Sequence, residues 1–136
     1  MLTWWADKLI KGGNLANDFE DLKIYQKARE LRKIIFEITE KLPKDQDFVL
    51  KSQLRRASYS VCANIAEGMG IYHYAEKIQH LSRARGSCEE VKDGSNALLD
   101  FGYIKNAESD RFKKEYSGLI RGINKFISYI RKKKST

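Results

Sequence analysis

The chain has 136 residues, enough for one domain with a single core. Hydrophobic residues make up 42% of it, which excludes a disordered chain, and no run of about 18 apolar residues occurs, which excludes a membrane span. Its net charge of +8 favours polyanionic partners: RNA, DNA, or an enzyme that carries them.

The first 17 residues stand apart. Trp4, Trp5, Leu9 and Ile10 can form one amphipathic turn, but Gly12, Gly13 and Asn14 break it. The expected arrangement is a flexible or partner-dependent extension over 1–17, a bundle over 18–130, and a basic tail over 131–136. The N-terminus lacks a basic start followed by a long apolar stretch, so no secretory signal is expected and the expected compartment is the cytoplasm. Cys62 and Cys88 fall inside helical patterns, which suits buried thiols rather than a disulfide framework.

The first predicted helix runs from Asp21 to Leu42, with Asp18 as its N-cap if it starts earlier. Its apolar stripe is Ile24, Ala28, Leu31, Ile35, Ile38 and Leu42, in steps of four and three. Pro43 closes it. The second runs from Asp47 to Glu67 on Leu50, Leu54, Ala57, Val61 and then Asn64, with Ile65 beside it. Small residues from Ala57 to Ala66 invite close approach of a neighbour, and Gly68 and Gly70 suit its end. The third runs from Tyr74 to Asp100 on Tyr74, Ile78, Leu81, Ala84, Cys88, Val91, Ser95 and Leu98, and Gly102 stops it. Gly86 and Gly94 inside it each cost about 1 kcal/mol relative to Ala, so both are expected to answer a packing need. The fourth runs from Ala107 to Lys132 on Phe112, Tyr116, Leu119, Ile123, Phe126 and Ile130. Short connections between four such helices predict an all-α, antiparallel up-down-up-down four-helix bundle.

Catalytic machinery is hard to find. His73 and His80 are seven residues apart, about two helical turns, which is too far for the two to form a compact helical metal pair. Gly68-Met69-Gly70 lacks the Lys and Ser/Thr of a phosphate-binding loop. Neither an enzyme, a metal site nor a cofactor is expected. Asn64 occupies a predicted core position, and a buried Asn needs partners. A structural polar network of Asn64, Glu67 and Arg85 is expected, with Ser58 and Ser87 in reach and Arg83 as the other possible mate of Glu67. Lys51, Arg55 and Arg56 make a basic patch on the second helix. Arg131, Lys132, Lys133 and Lys134 carry four of the eight net charges. These seven residues are the expected phosphate contacts, against the blander alternative of ordinary solvated faces.

Five segments in this order carry a family resemblance: Asp21 to Leu31, Ser52 to Ala57, Asn64 to Gly68, Gly86-Ser87 with Glu89-Glu90, and Leu99 to Ile104. Over residues 19 to 130 the chain resembles the bacterial four-helix-bundle family first noticed in intervening sequences of large-subunit ribosomal RNA genes. The resemblance implies a ring-forming homopentamer without catalytic activity. It also implies similarity to the accessory protein of diversity-generating retroelements, which binds a reverse transcriptase and nucleic acid through a basic surface. The expected partners are therefore a second copy of the chain, RNA or DNA, and a reverse transcriptase. Cys62-Ala63 stands where such proteins usually carry a proline, and the first 17 residues have no counterpart.

Overall fold

The computed structural model describes residues 18–135, with side chains through Lys133. The expectations for residues 1–17 and for the Lys134 side chain lie outside that range. Four helices carry the fold: α1 (Lys23–Glu40), α2 (Ser52–Gly70), α3 (Tyr74–Asp100) and α4 (Asn106–Ser135). Each packs on the next in sequence, and α1 also touches α4, closing the predicted all-α antiparallel bundle. Lys27 of α1 reaches Glu115 of α4 at 2.9 Å across that closing contact.

The apolar stripes converge on one axis. Ile24, Ala28, Leu31 and Ile35 of α1 are buried with Leu54, Ala57 and Val61 of α2. Leu81, Ala84, Cys88, Val91 and Leu98 of α3 join them, as do Tyr116, Leu119, Ile123, Phe126 and Ile130 of α4. Each fully buried Leu or Ile is worth about 1.5–3 kcal/mol of transfer free energy. Polar positions complete the layers where a partner is at hand. The hydroxyls of Ser95 and Ser109, both buried, lie 3.1 Å apart between α3 and α4.

The stripes depart from expectation at their ends. Ile38 and Leu42 are only partly buried, and Thr39 takes the core position one turn beyond Ile35. Thr39 tolerates this because its hydroxyl donates to the Ile35 carbonyl at 2.8 Å and accepts from Arg55 Nε at 2.8 Å. On α2, Ile65 rather than Asn64 is fully buried, since Ile65 lies one full turn beyond Val61. At the start of α3, Tyr74 is exposed and the stem of Lys77 is buried.

Helix ends follow local chemistry. Phe19–Asp21 form a 3-10 turn, preceded by Asp18 without a side-chain capping bond. Extended Leu22, wholly buried, then sets the start of α1. After Pro43, a 3-10 turn at Lys44–Gln46 and a π-type turn at Asp47–Lys51 lead into α2. The glycines expected to end α2 remain helical: α2 runs to Gly70, and Gly102 is the glycine with positive φ among the described residues. Lys77 does the capping instead, its ammonium donating to the carbonyls of Gly68 at 2.8 Å and Met69 at 3.1 Å. Gly102, at φ +80°, closes α3: its N–H donates to Leu99 at 3.0 Å and that of Tyr103 to Leu98 at 2.9 Å. Residues 131–135, expected as a tail, continue α4 to Ser135.

Candidate nucleic-acid interface

The predicted basic patch on α2 sits among carboxylates. Arg55 Nη2 donates to Glu40 Oε2 at 2.8 Å and to the Phe36 carbonyl at 3.2 Å, while its Nε donates to Thr39. Lys51 lies 3.6 Å from Asp47 and 4.0 Å from Glu40. Arg56 pairs with Glu90 of α3 and donates to Gln53 Oε1 at 3.0 Å. Three cations thus face three carboxylates. The Arg55 hydrogen bond, with the Lys51 charge beside it, holds the Glu40 carboxyl below the ordinary 4.5. Arg55 in particular ties α2 to the C-terminal end of α1.

A second basic surface, which sequence reasoning missed, lies on α1. Arg29 and Lys33 are exposed, Arg32 is half-buried, and no carboxylate among the described residues lies within ion-pair distance of any of the three. They line an open groove with Gln26, Glu30 and Phe36. The single carboxylate there, Glu30, is 3.7 Å from Lys27. The amphipathic pattern had assigned this stretch to the solvent side of α1. Only the absence of carboxylate partners, a tertiary fact, distinguishes it from an ordinary solvated face. At the end of α4, Arg131, Lys132 and Lys133 are exposed, with the Lys133 ammonium 5.8 Å from the Tyr129 ring centroid. Lys134 follows in the same helix. These cations sit where the helix dipole favours positive charge.

The expected polar network exists with different members. Asn64 Nδ2 donates to the Ser60 carbonyl at 2.9 Å and to Ser60 Oγ at 3.1 Å. Ser87 Oγ reaches Ser60 Oγ at 2.9 Å, and Asn64 Oδ1 lies 3.1 Å from His80 Nδ1. Glu67 Oε2 is 3.4 Å from the same nitrogen. Both neighbours of Nδ1 are acceptors, so that nitrogen carries the proton. Arg85 is not a member. It lies five residues past His80, about 140° round the helix, and faces α4, donating to Asn124 Oδ1 at 2.6 Å and to Ser82 Oγ at 3.3 Å. Glu67 therefore pairs with His80 rather than with Arg83 or Arg85. Ser58 turns to its own helix and donates to the Arg55 carbonyl at 3.2 Å.

The family model for the 23S rRNA-intervening sequence protein matches residues 20–125, from the turn before α1 to two-thirds of the way along α4. The chain belongs to this family. No curated protein matches it. A crystal structure of a protein of unknown function from the S23 ribosomal protein family of Bacteroides thetaiotaomicron VPI-5482 shares the fold. Its TM-score is 0.71 at 22% identity, over 77% of this chain and 95% of that one.

In this family member the motif from Asn64 to Gly68 is the α2–α3 joint. Asn64 and Glu67 hold His80, and the Gly68 carbonyl receives Lys77. Burial lowers the Lys77 ammonium from its ordinary 10.5. Lys77 was legible only as one more cation, because its value comes from carbonyls nine and eight residues away. Cys62 and Cys88 are both buried and free. Burial pushes both thiols up, away from the reactive thiolate form. It raises the Tyr116 phenol as well. Among the described residues no three His, Cys, Asp or Glu side chains converge as metal ligands would, and no helix is long and apolar enough to cross a membrane.

Proposed function

We propose that this protein is a non-enzymatic, self-assembling nucleic-acid-binding protein that holds RNA or DNA by its phosphate backbone. The observation that carries the reading is the α1 surface, where Arg29, Arg32 and Lys33 stand together with no carboxylate among the described residues within ion-pair distance. Uncompensated cations release the counterions condensed on a nucleic acid, and that release drives sequence-independent binding. Arg131 to Lys134 supply further contacts, and Lys51, Arg55 and Arg56 contribute less because Glu40, Asp47 and Glu90 already oppose them. Assembly into a ring, a homopentamer by the family resemblance, repeats each patch and multiplies weak contacts.

The test is binding of the purified protein to structured RNA and duplex DNA across a salt series. The logarithm of affinity should fall linearly with that of salt, with little base preference. Arg29→Glu with Lys33→Glu should weaken every nucleic acid alike and flatten the slope by about 0.9 for each phosphate that the variant no longer neutralises. Absence of binding even at low salt removes this reading.

A second reading, an adaptor for a reverse transcriptase or another nucleic-acid enzyme, has its own support. Phe48, Val49 and Phe101 are 91%, 56% and 59% exposed at the end of the bundle where α2 begins and α3 ends. Exposed apolar side chains of this kind, two of them aromatic, suit a protein partner. It predicts weak RNA binding by the protein alone and a salt-tolerant complex with the enzyme.

A further inference from the structure

Four side chains on the α1–α2 face form an alternating square. Arg32 and Phe36 are one turn apart on α1, and Arg55 and Tyr59 one turn apart on α2. Because the helices run antiparallel, unlike groups meet across the pair. The Arg32 guanidinium carbon lies 5.8 Å from the Tyr59 ring centroid, and that of Arg55 lies 4.6 Å from the Phe36 centroid. Cation and ring thus alternate both along each helix and across the interface.

The square is neither core nor loose surface. Phe36 keeps 38% and Tyr59 60% of its surface exposed, so each ring still offers area to a partner. Arg55 is held by Thr39, Phe36 and Glu40, which immobilises its guanidinium plane. Arg29 and Lys33, exposed and with no carboxylate among the described residues within ion-pair distance, flank the square along α1.

We propose that this square is a platform for single-stranded nucleic acid: bases stack on Phe36, Tyr59 and the guanidinium planes, and Arg29 and Lys33 hold the phosphates. The proposal rests on the nucleic-acid reading above and narrows it. A duplex keeps its base faces inside the stack, so exposed rings offer it nothing, whereas every unpaired base has a free π face. Rows spaced by the helix pitch of ~5.4 Å also suit splayed bases better than the ~3.4 Å rise along a duplex strand.

The test uses the full chain in fluorescence anisotropy. The ligands are labelled oligouridylate and oligothymidylate of about 20 nucleotides, longer than a typical ~4–16 nucleotide site, and an RNA duplex of equal length. The wild type should bind both single strands more tightly than the duplex. Phe36→Leu and Tyr59→Leu, which keep apolar bulk but remove the ring, should each weaken single-strand binding by about tenfold and leave the duplex within about twofold. Arg29→Glu with Lys33→Glu should weaken all three ligands. Unchanged single-strand affinity in the ring variants, at wild-type melting temperature, overturns the platform while leaving backbone binding standing. Equal loss for single strand and duplex overturns it too, because the rings then act through the fold. A changed oligomeric mass in the ring variants reassigns the face to subunit contact. If the wild type binds none of the ligands, the broader reading falls as well.

Discussion

Gly86 and Gly94 sit on the same helix, and the structure gives them opposite meanings. A Cβ at Gly94 would collide with the buried Leu54 side chain of α2, meeting its Cδ2 and approaching Cγ to 3.1 Å. A Cβ at Gly86 would meet nothing within 4 Å. The expected close approach of α2 is thus real at Gly94, while at Gly86 none of the described residues packs against the position. Gly94→Ala should destabilise by about 1–2 kcal/mol, because forced repacking of Leu54 outweighs the gain in helix propensity. Gly86→Ala should stabilise by about 0.5–1 kcal/mol. Urea melts of both variants check the signs, and a destabilised Gly86→Ala would show that this exposed site is covered in the assembled protein. Asn64 teaches a related lesson. Its need for partners was legible, but His80 could not be chosen over Arg85 without knowing which faces of α2 and α3 meet.

At the scale of elements, the junction of α1 with α2 depends on Arg55. Its guanidinium serves Thr39, the Phe36 carbonyl and Glu40, so Arg55→Ala strips partners from a buried hydroxyl and a helix end together. A loss of about 1.5–3 kcal/mol is expected, the range for hydrogen bonds to charged groups. The pH dependence of the junction follows from Glu40. Its folded-state value is depressed by Arg55 and then Lys51, so the stabilisation is present above the unfolded value of 4.5 and is lost as pH falls through the lowered one. Thermal melts should therefore separate wild type from Glu40→Gln at pH 7, and the gap should close once pH drops below that window. A gap that persists in strong acid would place the role of Glu40 outside its charge. The ends of α2 show why boundaries were harder to read than elements. Glycine near a helix end suggests a left-handed cap, but buried Lys77 supplies the capping here and the helix continues to Gly70.

For the whole molecule, the distribution of charge matters more than its sum. The candidate phosphate-binding cations fall into a compensated group at the start of α2, a group on α1 with no carboxylate among the described residues within ion-pair distance, and a terminal group on α4. Ile130 is the last core residue of α4 among the described residues, so removing residues 131–136 should leave the fold and its melting temperature nearly unchanged. If its four cations each contact a phosphate, the salt slope of nucleic-acid binding should fall by about 3.6. A truncated chain that keeps the full slope assigns the binding to α1 alone.

Sequence by itself determined the helix count, the connection sites, most of the core and the surplus of positive charge. These follow from local periodicity, from Pro43 and Gly102, and from composition, none of which needs a neighbour to be read. Tertiary structure decided which cations are already neutralised, that Thr39 replaces Ile38 in the core, that Arg55 is a latch, and that Arg32, Phe36, Arg55 and Tyr59 form one surface. The physical reason is that an ion pair, a cap or a stacked ring depends on distances between residues far apart in the chain. Helical periodicity assigns a side chain to the inner or outer face, and only packing decides what it meets there.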